Sequence, residues 1–326
     1  MKNNHNLLMK MKNLKKFSGA IKRCAAIAMA TMLFATTGFS LDTHPVKAQE
    51  VSSSADKIEI PEISKDAFKK YKKISGIGAN TILGADFTYY QQCLEWGKSY
   101  KNYMSQSVDN IFDYVKSQGI NTISLKVAVN PTGDNAYLSL DNAIKTLKAV
   151  KASKANLKTN LVLLYSDEMT YAGENGQKLP ADWEKAEKAE QSVSRVESAK
   201  TYTKETIAKL KQANVLPDIV TIGNEVDWNF LGITDGEGWE GWKAMGDISA
   251  LLKKEGVKNA VSIAAPSDVA SVKYIVQKLG YASVDYDYIG VNIYPDNNTN
   301  SYIKSLKKEV ESCASDKQLI VSNVEY

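Results

Sequence analysis

Pro217-Asp218-Ile219-Val220-Thr221-Ile222-Gly223-Asn224-Glu225 decides how the chain is read. Ile219–Gly223 is a short β-branched run with little alternation, as expected of a strand buried on both faces. A stretch of helical period follows near 241–255. The same unit recurs in both directions. Strands are predicted at Ile82–Thr88, Thr122–Val129, Thr159–Tyr165, Ile219–Gly223, Ala260–Ala265, Tyr288–Ile293 and Leu319–Val324. Helices are predicted near 105–118, 139–155, 196–213, 241–255, 268–279 and 299–312. Successive strands start 28 to 41 residues apart, with one 60-residue interval after the third. A βα repeat of this kind predicts a parallel sheet.

An open doubly wound sheet would carry a glycine-rich phosphate loop after its first strand. Gly84-Ala85-Asp86-Phe87 has neither that spacing nor a helix start. The expectation is therefore a (β/α)8 TIM barrel spanning 79–326, with seven of its eight strands present and the last one missing at the C-terminal side. A rival source for the eighth strand is Ile74–Ile77, though Gly76 and Gly78 weaken it.

Outside the repeat, residues 1–48 read as a secretory signal peptide. Lys10, Lys12, Lys15, Lys16, Lys22 and Arg23 form a basic start, Cys24 to Ser40 is apolar and rich in small residues, and Val46-Lys47-Ala48 offers a cleavage site. The apolar run is short for a membrane span, so no membrane partner is expected once it is removed. Residues 49–78 are a polar, lysine-rich lead-in.

The whole chain has 41 basic and 37 acidic residues, but eight of the basic and one of the acidic lie in 1–48. The remainder carries 33 against 36, a net charge of −3, which gives no reason to expect nucleic acid as a partner. Both histidines, His5 and His44, leave with the leader. This excludes Ser-His-Asp and Cys-His machinery and any histidine-held zinc. No cofactor or metal is expected. Carboxylates remain as the acid–base groups. Cys93 and Cys313 fall on different βα units and toward opposite ends of the barrel, so they are expected not to be joined.

Barrel chemistry gathers at the C-terminal ends of the strands. Those ends carry Asp86, Asn130-Pro131, Tyr165-Ser166-Asp167, Asn224-Glu225, Asn292-Ile293-Tyr294 and Glu325-Tyr326. Glu225 and Glu325 are thus a candidate carboxylate pair across the mouth, the equipment that glycoside hydrolysis needs. All five tryptophans, Trp96, Trp183, Trp228, Trp239 and Trp242, follow strands 1, 3 or 4. Indole faces suit sugar rings. Trp239 and Trp242 open a helix and are equally suited to packing it against the sheet.

The chain resembles glycoside hydrolase family 53, the arabinogalactan endo-β-1,4-galactanases, from residue 83 to 326. The matching pieces, in order, are Leu83-Gly84-Ala85-Asp86, Gly119-Ile120-Asn121, Val129-Asn130-Pro131, Tyr165-Ser166-Asp167, Gln177 with Pro180 and Trp183, Pro217 to Glu225, and Tyr286 to Gly290 followed by Tyr294-Pro295. The resemblance implies a retaining endo-glycosidase; the leader makes it a secreted one, and a complete chain is expected to be a monomer. The resemblance makes Glu225 the acid/base and Glu325 the nucleophile. It has Asn224 bind the sugar 2-hydroxyl, and Asp86, Tyr294 and Trp228 shape the cleft. Asn130, Tyr165, Asp167 and Asn292 complete the expected substrate-binding set.

The chain also departs from the family pattern. Ser124-Leu125-Lys126 replaces Arg-Leu-Arg, Val162-Leu163-Leu164 replaces Asp-Phe-His, and Met169-Thr170-Tyr171 replaces Trp-Ala-Asp. Two alternatives stay open. One is a catalytically silent carbohydrate-binding barrel. The other is a two-glutamate barrel glycosidase acting on a different β-linked polysaccharide.

Overall fold

The computed structural model describes residues 81–326 except 103, 174–175, 190–192, 235–238, 265–268, 294–298 and 325–326. The leader, the polar lead-in and Ile74–Ile77 lie outside the described residues, as do Tyr294 and Glu325. The chain divides into two units, 1–81 and 82–326, and the second carries the fold.

Its strands are β1 (Gly84–Asp86), β2 (Thr122–Val127), β3 (Lys158–Leu163), β4 (Ile219–Ile222), a small hairpin of β5 (Asn229–Phe230) and β6 (Ile233–Thr234), then β7 (Lys258–Ile263), β8 (Tyr288–Ile293) and β9 (Gln318–Val324). Seven of them form one sheet in the order β1-β2-β3-β4-β7-β8-β9, and every neighbouring pair is parallel. The helices are α1 (Tyr90–Glu95), α2 (Ile111–Ser117), α3 (Leu140–Ala152), α4 (Ala181–Lys188), α5 (Arg195–Gln212), α6 (Glu240–Lys254), α7 (Val269–Tyr281) and α8 (Thr299–Cys313). These are seven strands of a (β/α)8 barrel, each at its expected place.

Local chemistry explains where the helices begin. Asn110 caps α2 by accepting from Phe112 N at 2.9 Å, and Ser139 and Ser194 cap α3 and α5 in the same way. One face of each long helix packs on the sheet: Ala143, Leu147 and Val150 from α3, Ile207 and Leu210 from α5, Ile248 and Leu252 from α6.

The inward faces of the strands change character along their length. At the N-terminal end Ile219, Ala260 and Tyr288 form an apolar layer with Ile82 and Ile320. Higher up the layer is polar. Thr221 Oγ1 donates to Asn160 Oδ1 at 2.9 Å, and Asn160 Nδ2 donates to Ser124 Oγ at 3.1 Å. Polar side chains tolerate burial there because they satisfy one another. Above that layer Ala128, Val162 and Leu164 keep the β2 and β3 side apolar, whereas Glu225 and Asn292 bring polar groups to the β4 and β8 side.

Cys93 and Cys313 are not bonded to each other. No described helix is long and apolar enough to cross a membrane.

Candidate active site

β4 ends in a tight turn that presents Glu225. Gly223 (φ +70°) and Glu225 (φ +55°) both take the left-handed conformation, which an L residue such as glutamate rarely adopts. Such strain persists where the surroundings impose it. Here Gly223 N continues the ladder to Leu163 O at 2.9 Å, and Val226 N donates to Ser262 O at 2.9 Å.

The Glu225 carboxylate is buried and gripped at both oxygens. Oε2 accepts from the backbone N–H of Ala172 at 2.7 Å, and Oε1 accepts from Asn292 Nδ2 at 2.5 Å. Asn292 is itself oriented from β9, because Ser322 Oγ donates to Asn292 Oδ1 at 2.9 Å. Gly290 leaves room for this contact; a Cβ there would lie 3.0 Å from Ser322 Oγ.

Ala172 belongs to the loop between β3 and α4, part of the long third interval. Gln177 Nε2 spans this loop, donating to Tyr171 O at 3.0 Å, Asn224 O at 2.8 Å and Glu225 O at 3.2 Å. Asn224 Nδ2 donates to Thr170 O at 2.8 Å. The loop after β3 thereby locks the turn after β4.

Asp227, which sequence reasoning did not single out, is also buried here. Its Oδ2 accepts from Ala264 N at 2.7 Å, while Oδ1 is buried with no hydrogen-bond partner among the described residues. Burial, reinforced by the nearby Glu225 charge, pushes its carboxyl up to about 6.

Asp86 and Lys126 stand at the ends of β1 and β2, joined at 2.6 Å. Thr88 N also donates to Asp86 Oδ1 at 2.8 Å. Burial alone would raise the Asp86 carboxyl, but the Lys126 ammonium and the Thr88 contacts outweigh it and hold the group below the ordinary aspartate value. A lowered folded value gives stability that is present above the unfolded value, near 4, and is lost as pH falls through the folded one. Asp86→Asn is therefore expected to lower the melting temperature at pH 6 to 8, with the gap to the parent protein closing below about pH 4. Thermal melts across that range check this; a gap that widens on acidification would contradict it.

The other expected site residues divide. Asp167 braces the loop: Oδ1 accepts from Asn130 N at 2.9 Å and Oδ2 from Ala181 N at 3.0 Å. Asn130 is exposed, its Nδ2 3.4 Å from Asp182 Oδ2. Trp228 is also exposed. Tyr165 corrects the expectation. It is buried beneath the mouth, its hydroxyl 3.0 Å from Thr203 Oγ1 of α5 and its ring against Tyr202 and Phe230. Trp183 and Trp242 are likewise core residues rather than cleft lining.

Arginine is almost absent from the chain, which has only Arg23 and Arg195. Arg195 serves structure. It pairs with Glu187 and donates from Nη1 to Leu231 O at 3.1 Å, which anchors the β5–β6 turn. At the mouth the cation is Lys126. Among the described residues no group of three or more Cys, Asp or Glu is arranged to hold a metal ion.

Comparison with known proteins gives a consistent answer. The model of the family described as glycosyl hydrolase family 53 matches residues 82–326. An arabinogalactan endo-β-1,4-galactanase of Cellvibrio japonicus (strain Ueda107) is 28% identical over 235 residues, covering 68% of this chain and 59% of that one. A probable arabinogalactan endo-β-1,4-galactanase A of Aspergillus terreus (strain NIH 2624 / FGSC A1156) is 29% identical, covering 73% of this chain and 68% of that one. The chain thus spans about three fifths of the length of the Cellvibrio relative. Among solved structures, one from a study of two fungal β-1,4-galactanases superposes with a TM-score of 0.63 at 24% identity, covering 74% of this chain and 73% of that one. The Ignisphaera aggregans GH53 catalytic domain gives 0.65 at 20% identity, covering 78% and 71%. At those identities the structures speak for the fold.

Proposed function

The chain belongs to glycosyl hydrolase family 53, and from that premise we propose that it is a secreted endo-acting glycosidase that cleaves β-1,4-galactan, or the galactan part of arabinogalactan, with retention of configuration. The observation that carries the reading is the held Glu225. A solvated surface glutamate needs no left-handed turn and no pair of donors; a proton-transfer group must be fixed.

In this mechanism Glu225 protonates the leaving glycosidic oxygen while Glu325 attacks the anomeric carbon. A covalent glycosyl-enzyme forms. Glu225 then takes a proton from water, and that water releases the sugar. The proton that Glu225 gives up in the first step is restored to it in the second. Retention calls for the two carboxyl groups to lie about 5–5.5 Å apart. Asn292 and the Ala172 N–H steer the Glu225 carboxyl, and the reading assigns the sugar 2-hydroxyl to Asn224, whose Nδ2 donates to Thr170 O.

Incubation with galactan, mannan, xylan and glucan is the test. Reducing ends should appear from galactan, and the first product seen by NMR should be the β-anomer. Tight binding with no release from any polymer would sink the enzyme in favour of a silent carbohydrate binder, the reading that lysine in place of arginine at the mouth favours. Release from another polymer alone would move the substrate within the same mechanism.

A further inference from the structure

We propose that Trp228 and Tyr274 form an outer platform that holds the β-linked polysaccharide where it leaves the cleft beside Glu225, on the side of the departing portion. The proposal rests on the reading of Glu225 as the proton donor.

The backbone after Glu225 dictates where Trp228 goes. Val226 N bonds Ser262 O at 2.9 Å and Asp227 Oδ2 accepts from Ala264 N at 2.7 Å, so residues 226–227 are laid across the end of β7. Trp228 follows and reaches α7, the helix after β7. Its ring lies 5.4 Å from that of Tyr274, with the planes only 32° apart. Trp228 is 41% exposed and Tyr274 36%. Leaving this much aromatic surface in water forgoes burial worth about 25 cal/mol per Å². Trp183 and Trp242 are buried instead.

The pair is also braced. Lys278, one helical turn beyond Tyr274, places its ammonium 4.9 Å from the Tyr274 ring and 4.8 Å from that of Trp239. A ring fixed before binding loses little entropy when it binds. The exposed part of the Trp228 ring, backed by the Tyr274 ring packed against it, suits the apolar face of a sugar in a neutral chain.

Continuity with the catalytic group identifies the occupant. Trp228 is the third residue after Glu225, a reach of at most about 11 Å between Cα atoms. Glu225 as proton donor faces the leaving oxygen. The sugars next to it beyond the cut are those of the departing chain, and they pass toward Trp228 and α7.

Tyr274→Ala is the test, with Tyr274→Phe to keep the ring and thermal melts to confirm folding. Retention in a galactan-containing gel and kinetics on galactan are compared with hydrolysis of a short aryl galactoside too small to reach α7. Tyr274→Ala should weaken retention and raise KM on the polymer about tenfold. Turnover of the aryl galactoside should be unchanged, and Tyr274→Phe should behave as the parent. The loss of retention should recur in a Glu225→Gln background, where no cutting occurs. Unaltered retention and KM in Tyr274→Ala, with hydrolysis intact, would overturn the platform alone. No retention of the parent protein on any polymer would overturn the functional reading together with it.

Discussion

Glu225→Gln and Glu325→Gln are each expected to lower galactan turnover by about 10²–10⁴-fold or more while leaving the fold intact. The two losses should differ in kind. Without a proton at residue 225, a poor leaving group such as a sugar hydroxyl departs slowly. An activated aryl leaving group needs no proton, so Glu225→Gln should keep much of the first step on such a substrate and stall at the second. Without the nucleophile, Glu325→Gln should fail at the first step on both substrates. The structural cost at 225 is small. Oε1 and Oε2 each accept one donor, from Asn292 and Ala172. A glutamine amide would turn one acceptor into a donor facing a donor, costing about 1–3 kcal/mol. Asn292 can relieve this by turning its amide, since the Ser322 hydroxyl accepts as readily as it donates. Rates on galactan and on an aryl galactoside, with melts as the control, decide the matter. Parent-like turnover in either variant would mean that carboxylate has been misassigned.

The strands were legible because a two-faced burial leaves an unmistakable mark. β4 and β8 are buried at every residue; β4 is β-branched throughout, and β8 is apolar apart from Gly290 and Asn292. Strand ends then gave Glu225 and Asn292, which do meet. What sequence could not supply is the other half of the grip. Ala172 acts through its backbone N–H, and no side-chain pattern announces that. Gln177 stood in the family-like pattern, but its bonds to the carbonyls of residues 171, 224 and 225 depend on how the long third loop folds back. Tyr165 was misread for a reason that the sequence does contain. Side chains alternate along a strand. Leu161, Leu163 and Tyr165 share the face that packs on the helices, whereas Val162 and Leu164 join Ala128 and Leu138 in a separate cluster. Period two therefore puts Tyr165 against α5, where Thr203 takes its hydroxyl. Asp227 lies two residues past the left-handed Glu225, and strand alternation no longer holds past such a turn.

Gly223→Ala should be the most damaging substitution that touches no functional group. Residue 223 has φ +70°, where a side chain is strained by roughly 1–2 kcal/mol. An added Cβ would also lie 2.2 Å from Val226 Cγ1 and 3.3 Å from the Phe230 ring. Overpacking of that kind costs about 1–3 kcal/mol more. The two can be relieved only by moving the turn, and the turn carries Glu225. A displacement of about 1 Å at a catalytic group can cost about a hundredfold in rate. The expected result is therefore a combined defect: a melting temperature lower by several degrees, at about 2–4 °C per kcal/mol for a domain of this size, and galactan turnover down about a hundredfold. Gly256→Ala separates the two effects. Gly256 has φ +75°, nearly the same backbone state, but no atom of the described residues within 4 Å of its added Cβ, and it lies between α6 and β7 at the opposite end of the barrel. It should show the strain of a left-handed alanine and full activity. If Gly223→Ala matched it in both melt and rate, the turn after β4 would not be what holds Glu225 in place, and the Ala172 and Asn292 contacts would have to suffice alone.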